Sequence, residues 1–172
     1  MRLIFSSLVI LLLTMPACNL LSSSPIPTGV RVTTAPEVVT LTVYFIDMAR
    51  YQVGTEPYER AVTRTIQTTD SLPEAVLTQL FLGPTNDEKA QGLDIFLSGT
   101  TGFSKLTIEN GVARVYLTGT CNSKGATYTI ANLIEANLRQ FPGIQWVKIY
   151  DQSGETETPN GQSGSIPFCL EP

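Results

Sequence analysis

The chain has 172 residues and a formal net charge of −4, with 11 lysines and arginines against 15 aspartates and glutamates. This acidic balance argues against nucleic acid as a partner, because nucleic-acid binding needs a basic surface. The sequence has no histidine, which excludes Ser-His-Asp and Cys-His nucleophile systems and most zinc sites. We therefore expect no catalytic residue, no metal and no cofactor.

The first 17 residues are predicted to be an export signal. One positive charge precedes a short apolar run that ends at Leu13, and the small residue Ala17 stands just before Cys18. Met15 fits simple secretory cleavage poorly, whereas Cys18 directly after Ala17 is similar to the bacterial lipobox. We therefore predict that a lipid on Cys18 anchors the protein in the cell membrane, on the extracytoplasmic side. Cleavage without lipidation and an uncleaved signal are the alternatives.

The remainder divides into a tether, a domain and a tail. Residues 18–36 are rich in Ser, Thr and Pro, which is typical of an extended tether. Residues 37–154 are predicted to form one domain, and residues 155–172 a polar tail. If Cys18 is acylated, Cys121 and Cys169 remain as an even pair in an oxidising compartment, which predicts a disulfide that staples the tail to the domain. Two free buried thiols are the alternative.

The first half of the domain is predicted to contain two strands and a helix. Residues 38–46 alternate between apolar and polar side chains, and residues 60–68 are rich in β-branched side chains, so both are predicted to be strands. Ser71 and Glu74 have the spacing of a capping box at the start of a helix, which ends at Gly83 before a proline. Residues 85–102 are interpreted as a loop with a short turn of helix.

A hairpin, a second helix and a last strand follow. Alternating segments at 105–109 and 112–117 flank an Asn-Gly dipeptide, which favours a two-residue turn and pairs Ile108 with Ala113. Apolar residues recur at helical spacing over 125–141. Alternation resumes over 144–151, after a Pro-Gly dipeptide.

The resulting order, β-β-α-β-β-α-β, predicts an α+β fold. We expect a two-layer sandwich in which two helices cover one face of a mixed five-stranded sheet. Aromatic side chains on the opposite face form a candidate binding patch, since tyrosine and tryptophan are enriched at interfaces. The members of this predicted patch are Tyr44, Tyr116, Trp146 and Tyr150. Alternatively, Ile166 and Phe168 of the tail cover these rings as a minor second core.

Four stretches of the sequence resemble the GerMN domain, the sporulation and spore germination module of bacterial envelope lipoproteins. They are residues 41–45, 73–84, 110–117 and 138–149. The helix end at Gly83-Pro84 and the helix-to-strand junction at 140–143 are the most specific features. The chain departs from the family at 96–100, where the usual proline is missing.

The resemblance implies an anchored, non-enzymatic module that acts through contacts with another, unidentified envelope protein. It supplies no catalytic residue to carry over to this chain. A binder of cell-wall glycan (peptidoglycan) or of a small ligand, using the open face of the sheet, is the alternative function. A hydrolase built on a pair of carboxylates is a third hypothesis, and we expect such carboxylates to be solvated loop charges instead.

Overall fold

The computed structural model describes residues 35–172, so the predicted signal, Cys18 and almost all of the tether lie outside the described residues. Within them no helix is both long and apolar enough to cross a membrane. The elements in chain order are β1 (Glu37–Asp47), α1 (Met48–Val53), β2 (Glu59–Thr68), α2 (Leu72–Leu82), α3 (Asn86–Ala90), β3 (Leu93–Asp94), β4 (Thr100–Glu109), β5 (Val112–Gly119), α4 (Ile130–Arg139), β6 (Trp146–Tyr150) and a 3-10 helix (Phe168–Leu170).

The first sheet has the strand order β2-β1-β3 and is antiparallel throughout. β1 and β2 pair along nearly their whole length. On its other edge β1 pairs with β3 only at Ile46 and Asp47. Most of that second edge of β1 therefore has no strand beside it.

The second sheet has the order β4-β5-β6. β4 and β5 form the predicted hairpin with Ile108 opposite Ala113. Asn110 and Gly111 have φ angles of 51° and 78°, which is the left-handed conformation that the primed two-residue turns require. β6 runs parallel to β5, with Val147 opposite Ala113.

The mixed α+β class is confirmed, but the single five-stranded sheet is wrong. Two side chains, one on α4 and one on the residue that caps its C-terminal end, satisfy the free edge of β1 in place of a further strand. The Asn137 side chain hydrogen-bonds the N–H and the C=O of Tyr44, and Gln140 Nε2 donates to the Thr42 carbonyl at 3.1 Å. Because a helix lies where another strand would have to pair, the strands divide into two separate three-stranded sheets.

One hydrophobic core joins the two sheets through the helices. α2 contacts β1 and β4, α4 contacts β1 and β6, and the two helices contact each other. The largest fully buried apolar side chains are Phe45, Ile46, Leu77, Leu80, Leu93, Leu117, Ile130, Leu133, Ile134, Leu138 and Ile149. Leu106 and Ile108 on β4 are less buried than the apolar side chains of β5, the other strand of the hairpin. Ile108 is 40% exposed.

Two helix starts differ from expectation. Ser71 precedes α2 but makes no side-chain capping hydrogen bond. Capping boxes instead start α3, through Thr85 and Glu88, and α4, through Thr129 and Asn132. α4 therefore begins five residues later than the apolar spacing predicts, because a capped end fixes the start of a helix more firmly than apolar periodicity does.

The C-terminal tail is held to the second sheet. The predicted disulfide between Cys121 and Cys169 is present, with the two Cα atoms 5.6 Å apart. Ser165 forms a parallel bridge to Lys148 on the outer edge of β6, where the Ile149 N–H donates to the Ser165 carbonyl at 2.8 Å. The tail thus covers the outer edge of this sheet.

Candidate ligand-binding cleft

Four aromatic rings cluster beside two neighbouring grooves. They are Tyr51 on α1, Tyr58 before β2, Phe96 between β3 and β4, and Tyr128 before α4. Tyr51 is the central ring, with centroids 5.4 Å from Tyr58, 5.1 Å from Phe96 and 5.9 Å from Tyr128. The interplanar angles are between 60° and 82°, so the rings meet edge to face.

Asp47 sets the position of the first two rings. Its Oδ1 accepts hydrogen bonds from the N–H groups of Ala49 and Arg50, which starts α1 directly after β1. Its own N–H donates to the Tyr58 carbonyl at 2.7 Å. Gly54, with φ at 68°, ends α1 after six residues. A single buried residue, Asp47, therefore links the helix that carries Tyr51 to the strand that follows Tyr58.

Tyr128 is the most buried of the four rings, at 6% exposure. Its hydroxyl donates a hydrogen bond of 2.6 Å to Glu59 Oε1. Burial first, and this hydrogen bond to the carboxylate second, raise the pKa of the Tyr128 hydroxyl far above its ordinary value of 10.0. The hydroxyl therefore stays a neutral donor and holds Glu59 at the wall of the cleft.

The loop that carries Phe96 is fixed to the segment before α4. Ser98 Oγ accepts from the Ile130 N–H at 3.3 Å, and the Ser98 carbonyl accepts from the Asn122 N–H at 2.7 Å. At Gly99, with φ at 80°, a Cβ would lie 2.3 Å from the Thr120 carbonyl oxygen. Only glycine allows this close approach, so the loop conformation depends on it.

The cluster opens into two grooves that share Tyr51 and Tyr128. The first has a volume of about 650 Å³ and is lined by Tyr51, Glu56, Pro57, Tyr58, Glu59, Thr127, Tyr128 and Asn132. The second, of about 480 Å³, runs along the Phe96 loop and residues 122–126, and it includes Lys124. Both volumes fall in the range of small-ligand sites. We call the two grooves together the aromatic cleft.

This cleft is not evident from the sequence. Tyr51 and Tyr58 lie between the first two predicted strands, Phe96 lies in the predicted loop, and Tyr128 lies near the start of the second predicted helix. The signal that was available is the presence of tyrosines in otherwise polar segments that contain Gly and Pro, since such rings need a place to pack.

The predicted aromatic patch does not form one exposed surface. Tyr44 lies on β1 in the first sheet, whereas the other three residues lie on β5 and β6 in the second. Tyr116 and Tyr150 stack with their centroids 4.6 Å apart. Tyr150 is only 6% exposed, and its hydroxyl donates to the Pro159 carbonyl in the tail. Trp146 remains 40% exposed.

The tail covers this face of the second sheet chiefly around Lys148, and less through its terminal apolar residues. Lys148 has no exposed surface, and its Nζ donates to the carbonyls of Thr158 and Asn160 and to Ser163 Oγ. Burial first, and the neighbouring Arg114 second, lower the pKa of Lys148. Phe168, in contrast, is 71% exposed.

No group of three or more cysteine or acidic side chains within residues 35–172 is arranged to hold a metal ion.

Comparison with protein-family models identifies the domain type. The family model Germane, described as sporulation and spore germination, matches residues 42–156, which is more than half of the chain. A solved structure, the tandem GerMN domains of the sporulation protein GerM from Bacillus subtilis, is 23% identical with a TM-score of 0.44, over 74% of this chain and 46% of that chain. The chain thus spans less than half the length of that structure. No curated protein matches the sequence.

Proposed function

The chain belongs to the Germane family of sporulation and spore germination domains, and from this premise we propose that it is a non-catalytic binding module of the bacterial cell envelope. The GerMN resemblance that the sequence carries is confirmed by the family match. In this proposal the module is held at the extracytoplasmic face of the cell membrane by a lipid on Cys18. It acts through contacts with another envelope protein.

The observation that carries the binding role is the aromatic cleft. Two grooves that share Tyr51 and Tyr128 lie beside four aromatic rings, and tyrosine is among the residue types enriched at protein–protein interfaces. The rings are fixed by packing and by hydrogen bonds, such as that from Tyr128 to Glu59. A preformed site of this kind loses little conformational entropy when a partner binds.

Two features support the location. The lipobox-like sequence that ends in Cys18 is the first. The second is the Cys121–Cys169 disulfide, because stable disulfides belong mainly to oxidising compartments outside the cytoplasm. Since these two cysteines pair with each other, the fold needs no bond to Cys18.

The anchor is tested in cells by metabolic labelling with an alkyne fatty acid and by membrane fractionation. We expect the wild-type chain to be labelled and to fractionate with membranes. A Cys18→Ser variant should lose the label, and globomycin should cause the unprocessed wild-type form to accumulate. An unlabelled wild-type protein in the soluble fraction would refute the anchor.

The binding role is tested by placing a photo-crosslinking amino acid at Thr127, an exposed residue of the first groove. We expect a protein adduct in growing cells from this position. The matched control is the same amino acid at Gln152, which is exposed in the turn after β6. Equal adducts from both positions, or none from Thr127, would contradict a protein-binding role. Adducts with peptidoglycan alone would favour the glycan alternative.

A further inference from the structure

The first groove of the aromatic cleft is acidic as well as aromatic. Glu56 and Glu59 are the charged residues that line it, and the described lining contains neither lysine nor arginine. Two arginines lie close to these residues in the sequence, and both have partners. Arg60 pairs with Asp47 at 3.4 Å, and Arg50 donates to the carbonyl of Pro57, itself a residue of the groove, at 3.2 Å. The groove thus combines two carboxylates with aromatic rings, and none of its lining residues carries a positive charge that would neutralise the carboxylates.

The ring geometry separates two kinds of ligand. A sugar ring stacks on a flat, open aromatic face, whereas a cation is attracted to the face of even a single ring. Here Tyr51 meets Tyr58 at 82°, and Tyr58 meets Tyr128 at 75°. Rings that pack edge to face form no continuous flat platform, which disfavours a stacked sugar more than a compact cation.

We propose that this groove binds a positively charged side chain, a lysine ammonium or an arginine guanidinium, presented by a partner protein. The partly exposed rings of Tyr51 and Tyr58 supply the cation–π attraction, and Glu56 and Glu59 supply the opposite charge. This inference rests on the proposed binding function and names the chemistry that the partner must carry. The negative lining also steers a basic partner surface toward the groove.

The test is a fluorescence anisotropy titration of the full chain, as purified from cells in a non-ionic detergent. The probe is a capped peptide with two adjacent lysines in a glycine-serine context, carrying a neutral fluorophore. Its control is the same peptide with both lysines acetylated, which keeps the length and removes the charge. We expect acetylation to weaken binding about tenfold or more, and added salt to weaken the binding of the charged peptide.

Two protein variants locate the site. Glu56→Gln changes an exposed residue of the groove and should weaken binding severalfold. Glu157→Gln makes the same change at an exposed residue of the tail and should have no effect. Tyr51→Leu removes the central ring, and a thermal melt establishes whether that variant is folded. Because Glu56 is exposed, its variant keeps the test decisive even if Tyr51→Leu unfolds.

Three results would overturn the inference. They are equal binding of the acetylated peptide, binding that Glu56→Gln leaves unchanged, and no binding of the lysine peptide at all. A fluorescently labelled tetramer of N-acetylglucosamine that binds the wild-type chain better than it binds Glu56→Gln, while the lysine peptide does not bind, would assign the groove to a glycan. A crosslink from Thr127 to a protein, together with no lysine binding, would reject the cation and keep the proposed function.

Discussion

Asn137 on α4 hydrogen-bonds both backbone polar groups of Tyr44 on β1. Its Oδ1 accepts from the Tyr44 N–H at 2.9 Å, and its Nδ2 donates to the Tyr44 carbonyl at 2.9 Å. This is the pair of bonds that a neighbouring strand would make. Asn137 has no exposed surface, so a helix side chain here completes the hydrogen bonding of a sheet edge.

Replacing Asn137 should therefore destabilise the fold strongly. Asn137→Ala leaves the Tyr44 N–H and C=O without partners at a partly buried place and opens a gap where the fully buried Asn137 side chain packed, and we expect a loss of about 3 kcal/mol. Urea unfolding followed by circular dichroism measures it. Gln140→Ala removes the bonds to the Thr42 and Asn137 carbonyls at a less buried position and should cost about 1 kcal/mol. Equal effects of the two variants would contradict the assigned role.

The ion pair between Arg64 and Glu88 should contribute more to stability than the exposed pair on α4. The Arg64 and Glu88 side chains are 11% and 12% exposed, and Arg64 also donates to the carbonyls of Gln79 and Gly83. Arg64→Met should lower the free energy of unfolding by about 2 to 3 kcal/mol. The control, Arg139→Met, breaks an exposed i,i+4 pair and should cost less than about 0.5 kcal/mol.

Acid should reduce the contribution of the Arg64–Glu88 ion pair to stability. Burial raises the pKa of Glu88, but the hydrogen bonds from Arg64 and from the Thr85 N–H outweigh it, and the pKa lies below the ordinary value of 4.5. A carboxyl group with a lowered pKa in the folded state stabilises the fold above pH 4.5 and loses that contribution as the pH falls through the lowered value. We expect Glu88→Gln to be less stable at neutral pH and to lose less stability on acidification. Parallel curves for the two proteins would contradict this.

Removing the disulfide should cost several kcal/mol. Cys121 and Cys169 are 48 residues apart, and the chain-entropy relation gives a loop of that length about 4 kcal/mol. We expect the Cys121→Ser, Cys169→Ser double variant to unfold at a lower urea concentration, with a free energy of unfolding that is smaller by that amount. A reducing agent should bring the wild-type protein to the level of the variant and leave the variant unchanged. A variant as stable as the oxidised wild type would refute the stapling role.

Tyr128 should make the fold sensitive to alkali. In the unfolded chain its hydroxyl ionises near pH 10, whereas in the folded protein the pKa is raised. Above pH 10 the folded state therefore binds more protons than the unfolded state, and stability falls as the pH rises. Tyr128→Phe should lower the free energy of unfolding by about 1 kcal/mol at neutral pH, through the lost bond to Glu59. Above pH 10 the stability of this variant should fall less steeply than that of the wild-type protein. Titratable groups common to both proteins, such as Lys148, cancel in the difference between the two curves.

The parts of the fold that depend on neighbouring residues could be predicted from the sequence. The β4–β5 hairpin follows from an Asn-Gly turn and alternating side chains, and both signals lie within a few residues of each other. The division into two sheets could not be predicted. It depends on Asn137 and Tyr44, which are 93 residues apart, and nothing in the local pattern distinguishes Asn137 from an ordinary polar position on a helix.

The aromatic cleft escaped prediction for a related reason. Its rings at positions 51, 58, 96 and 128 come together only after Asp47 has started α1 and Ser98 has joined its loop to α4. The predicted patch relied on strand alternation, which assigns a side chain to one face of its own sheet. Alternation does not indicate that Tyr44 and Tyr116 belong to different sheets. Nor does it indicate that the Tyr150 hydroxyl hydrogen-bonds the Pro159 carbonyl of the tail.

The disulfide also imposes an order in time on the folding of an exported chain. A chain that leaves a translocation channel from its N-terminus delivers Cys121 first, then α4 and β6, and Cys169 only 48 residues later. During that interval the Cys121 thiol is unpaired, and the outer edge of β6 still lacks Ser165. The second sheet is therefore completed after the first in any vectorial process.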